Sequence, residues 1–175
     1  MSTVNRLVKK AQKGDDKAFL KLFQKYEEDI YRMAYLYVKN ESDALDVVQE
    51  VAYSSFKKID TLKNPEYFKT WLIKIAITSS IDLVKKNKKV VQLKPEHEEF
   101  LGSEDEDVSL SITLQELLDE LNEAEKSIVI LRFYEGYSFK EIAELLNIPL
   151  GTGKSVLYRA LNKLRKKIKE AEFCE

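Results

Sequence analysis

The feature that most narrows the fold of this chain is the spacing of its apolar residues, which return every three or four positions almost throughout. In AFLKLFQKYEEDIYRMAYLYV they stand at Ala18, Phe19, Leu22, Phe23, Tyr26, Ile30, Met33, Ala34 and Tyr37, the stripe of an amphipathic helix. The spacing predicts one long helix here, interrupted at Asn40 to Ser42. Ser42 is placed to cap a second helix running to about Ile59. Asn64 then offers a cap with Pro65 at the first helical position, opening a third helix to about Lys86. Five Gly and three Pro in 175 residues leave little material for the tight turns a sheet needs. The chain reads as all-α.

From Val90 to about Ser111 the periodicity fails. KPEHEEFLGSEDEDVS holds Pro, Gly, Ser and acids without an apolar face, the composition of a flexible linker. It divides the chain into a helical domain at 1–90, an acidic linker at 91–111 and a second helical domain at 112–175. His97 lies in the linker without a second His or Cys beside it, a poor start for a metal site. Past the linker, Asn122 with Glu125 and Ser138 with Glu141 fit the cap and third positions of two helix starts, and Gly136 fits the end between them.

Charge is segregated although the net is only −1. Residues 94–112 carry one Lys against seven acids, whereas 151–169 carry seven basic residues and no acid. A basic block of that kind points to nucleic acid more than the overall balance does. No apolar run approaches the roughly 20 residues of a membrane span, MSTVNRLVKK lacks a signal-peptide core, and the single Cys174 cannot form an internal disulfide. The expectation is a cytoplasmic protein with no direct membrane insertion.

PLGTGKS, residues 149–155, has the Gly-Lys-Ser ending of a nucleotide-binding loop. That loop also needs Gly five residues before Gly153, where Ile148 stands, and a strand leading in, where FKEIAELLN is helical. Helix–turn–helix accounts for the segment better. Phe139–Leu146 forms a first helix, Asn147 takes the left-handed turn, and Thr152 caps a second helix from Gly153 to about Ile168. At about 100° per residue, Leu157, Ala160, Leu161, Leu164 and Ile168 share one stripe, with Gly153 near it. Ser155, Tyr158, Arg159, Asn162 and Lys166 lie opposite, flanked by Lys154 and Arg165. A polar, basic face of this kind suits a recognition helix in a DNA major groove; a merely solvated face is the alternative these features leave open.

LNEAEKSIVILRFYEGYSFKEIAELLNIPLGTGKSVLYRALNKLRK resembles the C-terminal promoter-binding domain, region 4, of bacterial RNA polymerase sigma factors, in particular the extracytoplasmic-function (ECF) group. GDDKAFLKLFQKY, ESDALDVVQEVAYSSF and YFKTWLIKIAITSSIDLVKK resemble that group's first domain, region 2, in the same order. The resemblance omits only the linker and the chain ends.

The resemblance implies a transcription initiation factor that binds core RNA polymerase, at the β′ clamp and the β subunit, and directs it to promoter DNA. It implies no catalytic site, no cofactor and no metal. The segment matching the β′-clamp contact carries Asp43, Asp46, Gln49 and Glu50, whose spacing puts them on one helical strip. The segment matching the reader of the −10 element carries Tyr67, Phe68, Lys69, Trp71, Lys74 and Thr78, with core packing the alternative for Phe68 and at least an equal one for Trp71. In the family the preceding loop, about Asp60 to Asn64, captures a flipped base. Thr152, Lys154, Ser155, Tyr158 and Arg159 match the reader of the −35 element. The family also implies an anti-sigma partner, often membrane-anchored.

The chain departs from the family pattern at three positions. Gly153 stands for a bulky apolar residue, Val156 for an Arg, with the expected loss of a DNA contact, and Thr78 for an Asn. A DNA-binding regulator that works without polymerase is the rival function, and it leaves DALDVVQE unexplained.

Overall fold

The computed structural model describes residues 2–93 and 113–172. Among them every regular element is helical. Nearly all of the predicted acidic linker, with His97, and also Cys174 lie outside the described residues. The chain divides into two compact units, Met1–Asn87 and Lys88–Glu175.

The first unit opens with α1 (Thr3–Ala11) and α2 (Asp16–Gln24), capped by the side chains of Ser2 and Asp15, which accept from the amides of Asn5 and Ala18. Gly14, at φ +88°, turns the chain between them. The long helix expected from Ala18 to Tyr37 is in fact two, because α3 starts afresh at Glu27 and runs to Val38. Tyr26, between them, departs from regular helix angles at φ −118° and ψ 0°, and rests its half-buried ring 5.8 Å from that of Phe68. Glu27, Glu28 and Asp29 fill the new first turn, where the helix dipole favours negative charge. The apolar stripe runs straight through the break because both helices face one core.

Lys39, in the left-handed region at φ +65°, ends α3, and α4 (Glu41–Lys58) starts after one more residue. Its cap is Asn40, which accepts from the Asp43 amide at 2.8 Å. Ser42, the expected cap, sits inside the first turn. A 3-10 turn at Ile59–Thr61 follows, then a second at Pro65–Tyr67, capped by Asn64 as expected and leading directly into α5 (Phe68–Leu93). That helix outruns its predicted end at Lys86 and takes in residues 91–93, assigned to the linker on sequence.

Leu22, Ile30, Met33, Val47, Val51, Phe68, Leu72 and Ile73 form the centre of this unit. Ser55 and Ser80 are buried with them, each hydroxyl donating to the carbonyl four residues back in its own helix.

The second unit starts three helices with capping boxes. Thr113 with Glu116 opens α6 (Leu114–Asp119), Asn122 with Glu125 opens α7 (Glu123–Val129), and Ser138 with Glu141 opens α8 (Phe139–Leu146). Past Val129 the backbone widens into a π turn over Ile130–Tyr134, where the Glu135 amide reaches back to the Ile130 carbonyl. The Arg132 guanidinium donates to the Tyr137 carbonyl and lies over the Phe139 ring, fixing that turn against α8. Asn147 ends α8 at φ +55°, the left-handed turn expected of it.

The last helix, α9 (Leu150–Glu172), starts three residues before its predicted first residue. The Gly153 amide donates to the Pro149 carbonyl, so Thr152 lies within the first turn and does not cap. Ile128, Leu131, Ile142, Val156, Leu157 and Ala160 close the core of this unit.

Gly153 is a weak point in that packing. It is buried in a helix, yet a Cβ there would meet only Ile148 Cδ1, at an ordinary 3.8 Å. Replacing a helical Gly by Ala recovers about 0.5–1 kcal/mol of backbone entropy. Gly153→Ala is therefore expected to raise the melting temperature of the second unit by several degrees, followed by circular dichroism. A fall would mean that α9 needs the glycine.

Candidate nucleic-acid interface

Three surfaces carry the residues singled out on sequence. On α9, Thr152, Lys154, Ser155, Tyr158 and Arg159 are all exposed, as are Asn162 and Lys166. Leu157 and Ala160 face the core while Leu161 and Leu164 are half-buried, so one side of the helix is apolar and the other polar. Tyr158 is 66% exposed, a large ring held out from the surface. The Ser155 hydroxyl donates to the Gly151 carbonyl, leaving its lone pairs to accept. The Lys154 ammonium stands 5.9 Å from the Phe139 ring centre. First-turn amides of a helix have no acceptor inside it and carry partial positive charge; at this helix start Thr152 stands beside them.

Val156 behaves differently from the sequence expectation. It is buried, packed inward with Leu157, so this position supports the core and does not belong to the polar face. Ile168, placed in the apolar stripe, is exposed, because α9 runs on past the end of the core.

The second surface runs along the start of α5. Tyr67, Trp71, Lys74 and Thr78 recur at four, three and four residues and so share one side of the helix. Tyr67 is 62% exposed, Lys74 and Thr78 are exposed, and Trp71 is half-buried. Phe68, counted among the DNA-facing rings on sequence, has no exposed surface. Its ring is wedged 5.8 Å from both Tyr26 and Trp71, and it is a core residue. Lys69 is half-buried and pairs with Asp29 at 3.7 Å, linking α5 to α3. Farther along α5, Lys85, Lys86 and Lys89 are exposed.

Before this helix, the loop from Asp60 to Asn64 is held in a way its own sequence does not disclose. Gln12, at the end of α1, donates through one amide nitrogen to the carbonyls of Ile59 and Leu62, at 3.0 and 2.8 Å. Ile59 and Leu62 are buried, while Asp60, Thr61, Lys63 and Asn64 are exposed.

The third surface is on α4. Asp46, Gln49 and Glu50 are exposed, and Glu50 accepts from the Ser54 hydroxyl at 2.7 Å. Asp43 is only half-exposed, and one carboxylate oxygen accepts from both Asn40 and Asn87, at 2.9 Å each. It ties the start of α4 to α5 and offers less to a partner than its neighbours do. Three exposed apolar residues on α4, Leu45, Tyr53 and Phe56, escaped the sequence reading. Phe133 and Tyr134, set outward on the π turn, escaped it too.

Beside α9 lies a buried charge. Glu125 is 2% exposed, and one of its oxygens accepts from the Lys163 ammonium at 2.7 Å and from the Asn122 amide at 3.1 Å. Burial alone would raise its pKa. The hydrogen bonds from Lys163 and Asn122, with the positive charges of Lys163 and Arg159, outweigh that and hold the carboxyl below its ordinary value.

Residues 22–90 match the family described as Sigma-70 region 2, and residues 117–166 match Sigma-70, region 4. RNA polymerase sigma factor SigV of Bacillus subtilis (strain 168) is 42% identical over 140 residues, which cover 80% of this chain and 84% of that protein. The ECF RNA polymerase sigma-E factor of Escherichia coli (strain K12) is 30% identical over 177 residues, 93% of this chain and 92% of that protein. The sigma factor RpoE from Bartonella quintana, solved in complex with the anti-sigma factor NepR, shares the fold, with a TM-score of 0.70 over 87% of this chain and 98% of that one at 22% identity.

The depressed pKa of Glu125 makes the second unit acid-sensitive. The ionised form is favoured in the folded state, so its stabilising effect is complete above the ordinary carboxyl value of 4.5 and is lost as pH falls through the folded value. Amide exchange across α7 and α9 should show the parent protein more protected than Glu125→Gln at pH 7, with the gap closing below about pH 4.5. A gap that stays constant with pH would mean that the charge of Glu125 does not stabilise the fold.

Proposed function

This chain belongs to the ECF group of RNA polymerase sigma factors, and we propose from that membership that it binds core RNA polymerase and directs it to promoters by reading −10 and −35 elements. The observation that carries the proposal is the presence of two sigma regions, in order, on one chain; the exposed polar side chains on α4, α5 and α9 support assigning a separate surface to each role.

In this scheme the α4 strip of Asp46, Gln49 and Glu50, with Asp43 at its edge, meets the β′ clamp. Tyr67, Trp71, Lys74 and Thr78 face the −10 element. There, opening the duplex exposes bases that stack on rings while lysines hold the backbone. Thr152, Lys154, Ser155, Tyr158 and Arg159 face the −35 element as duplex, with the α9 N-terminus available to a phosphate. Phe68 supports the first of these DNA surfaces from beneath. The protein acts by binding and positioning, without a reaction of its own, in the cytoplasm where the polymerase works. An anti-sigma protein is its proposed regulatory partner, as NepR is found on RpoE of Bartonella quintana. Among the described residues no helix is long and apolar enough to cross a membrane.

The direct test adds purified protein to sigma-free core polymerase and measures transcription from specific start sites on genomic DNA. Specific starts are expected; DNA binding without any core association would favour a polymerase-independent regulator.

Reversing charge at Asp46 and Glu50 together should abolish co-purification with core while leaving the circular dichroism spectrum unchanged, since both are exposed. Retained co-purification would remove α4 from the polymerase contact. Arg159→Ala should weaken −35 binding by about 1–3 kcal/mol if the guanidinium reads a base. An unchanged footprint with unchanged salt dependence would return Arg159 to the solvated surface.

A further inference from the structure

The seven basic residues of α9 differ in what they touch. Lys163 reaches Glu125, which sits at the start of α7, and Lys167 reaches Glu120 at 2.7 Å, just past the end of α6. The two pairs differ in setting. Lys167 and Glu120 are each about two-fifths exposed, where water and salt weaken an ion pair. In the other pair Lys163 is 47% exposed but the Glu125 side chain only 3%, and a buried carboxylate that lost its cation would be strongly unfavourable.

The anchoring end of the Lys163 pair is also rigid. Glu125 is the third residue of α7. Its amide donates to the Asn122 side chain at 2.9 Å, and its carboxylate takes the Asn122 amide in return. Ile128 and Leu131, one and two turns on, are fully buried. The carboxylate is therefore fixed before α9 meets it. Lys163 stands four residues, about 6 Å, beyond Arg159 on the same helix.

Val156, Leu157 and Ala160 seat α9 on the core, and interlocked side chains resist its rotation. Base reading is nevertheless sensitive to a small turn: about 20° carries a side-chain tip, about 6 Å from the axis, through about 2 Å. That is far more than the half-ångström window within which a hydrogen bond to a base edge keeps its strength. An ion pair from a fixed carboxylate to one side of α9 adds a directional restraint on that angle.

We propose that Glu125 is a positioning residue for promoter reading, whose fixed carboxylate holds Lys163 and so sets the rotation at which α9 presents Tyr158 and Arg159 to DNA. The proposal rests on the reading of α9 as the −35 helix. In it Lys163 is a strut and contacts no phosphate, although it belongs to the most basic stretch of the chain. Sequence discrimination then depends on a residue that never touches the DNA.

The test uses the full chain assembled with core polymerase. Duplexes selected by the parent holoenzyme from a pool randomised at the −35 element are compared with scrambled duplexes, at several salt concentrations. Glu125→Gln keeps an oxygen for the Asn122 amide but removes the charge; Lys163→Gln removes the strut. Each variant is expected to lose about ten-fold in the ratio of selected to scrambled affinity. For Lys163→Gln the slope of log affinity against log salt should stay as in the parent. A slope shallower by about 0.9 would place Lys163 on a phosphate and overturn the proposal. Equal discrimination by parent and both variants would overturn it as well, leaving the pair a matter of stability alone. A parent that enriches no −35 sequence would bring down the assignment of α9 itself, an outcome visible before either variant is made.

Discussion

The first amides of a helix have no acceptor within it, and in a chain of helices that requirement recurs at every start. Here it is met by side chains placed immediately before the first turn, with Ser2, Asp15, Asn40, Thr113, Asn122 and Ser138 each accepting from an amide within the first turn. At those six starts the cap fixes where the helix begins, while the period of the helix and its packing fix which residues face inward. Two starts do without one: α3 begins after Tyr26 with no side-chain cap, and α9 begins at Leu150, with Thr152 exposed in its first turn. The exposed strip of α4 thus begins from a polar residue that satisfies the backbone, whereas that of α9 does not.

Much of this was legible in the sequence because caps are local. Asn122 with Glu125, Ser138 with Glu141, the left-handed Asn147 and the Asn64–Pro65 start all follow from residues within four positions of each other. What failed depended on tertiary contacts. The break at Tyr26 was invisible because the apolar stripe continues across it; at the break the Tyr26 ring lies against Phe68, 42 positions away, a contact no local pattern announces. Phe68 itself has the composition of a DNA-binding ring and the location of a core residue. Val156, read as a missing DNA contact, stands one turn from the buried Gly153 and Ala160 and so shares the face that meets the core. Ser42, read as the cap of α4, lies inside its first turn, and Asn40, two positions earlier, takes that role.

The polar surfaces were harder still. Asp43, Asp46, Gln49 and Glu50 do share one helix face, but their spacing does not reveal that Asp43 is occupied by Asn40 and Asn87. Nor does it mark Leu45, Tyr53 and Phe56 as exposed, since apolar residues are assigned to cores by default. The Glu125–Lys163 pair spans 38 residues, beyond any periodicity argument. Function residues picked by resemblance and residues picked by geometry overlap on α9 and part company on α5, where one ring of the proposed set is structural.

Gln12 grips the loop before α5 by its main chain alone. Both acceptors are backbone carbonyls, at Ile59 and Leu62, so the grip is indifferent to the side chains at Asp60, Thr61 and Lys63. Of the three, only Thr61 touches the local main chain, its hydroxyl donating to the Lys58 carbonyl at 2.6 Å. If this loop meets a promoter base, the shape of the receptacle and the identity of what it accepts are separately heritable, and a change of promoter preference need cost the fold nothing.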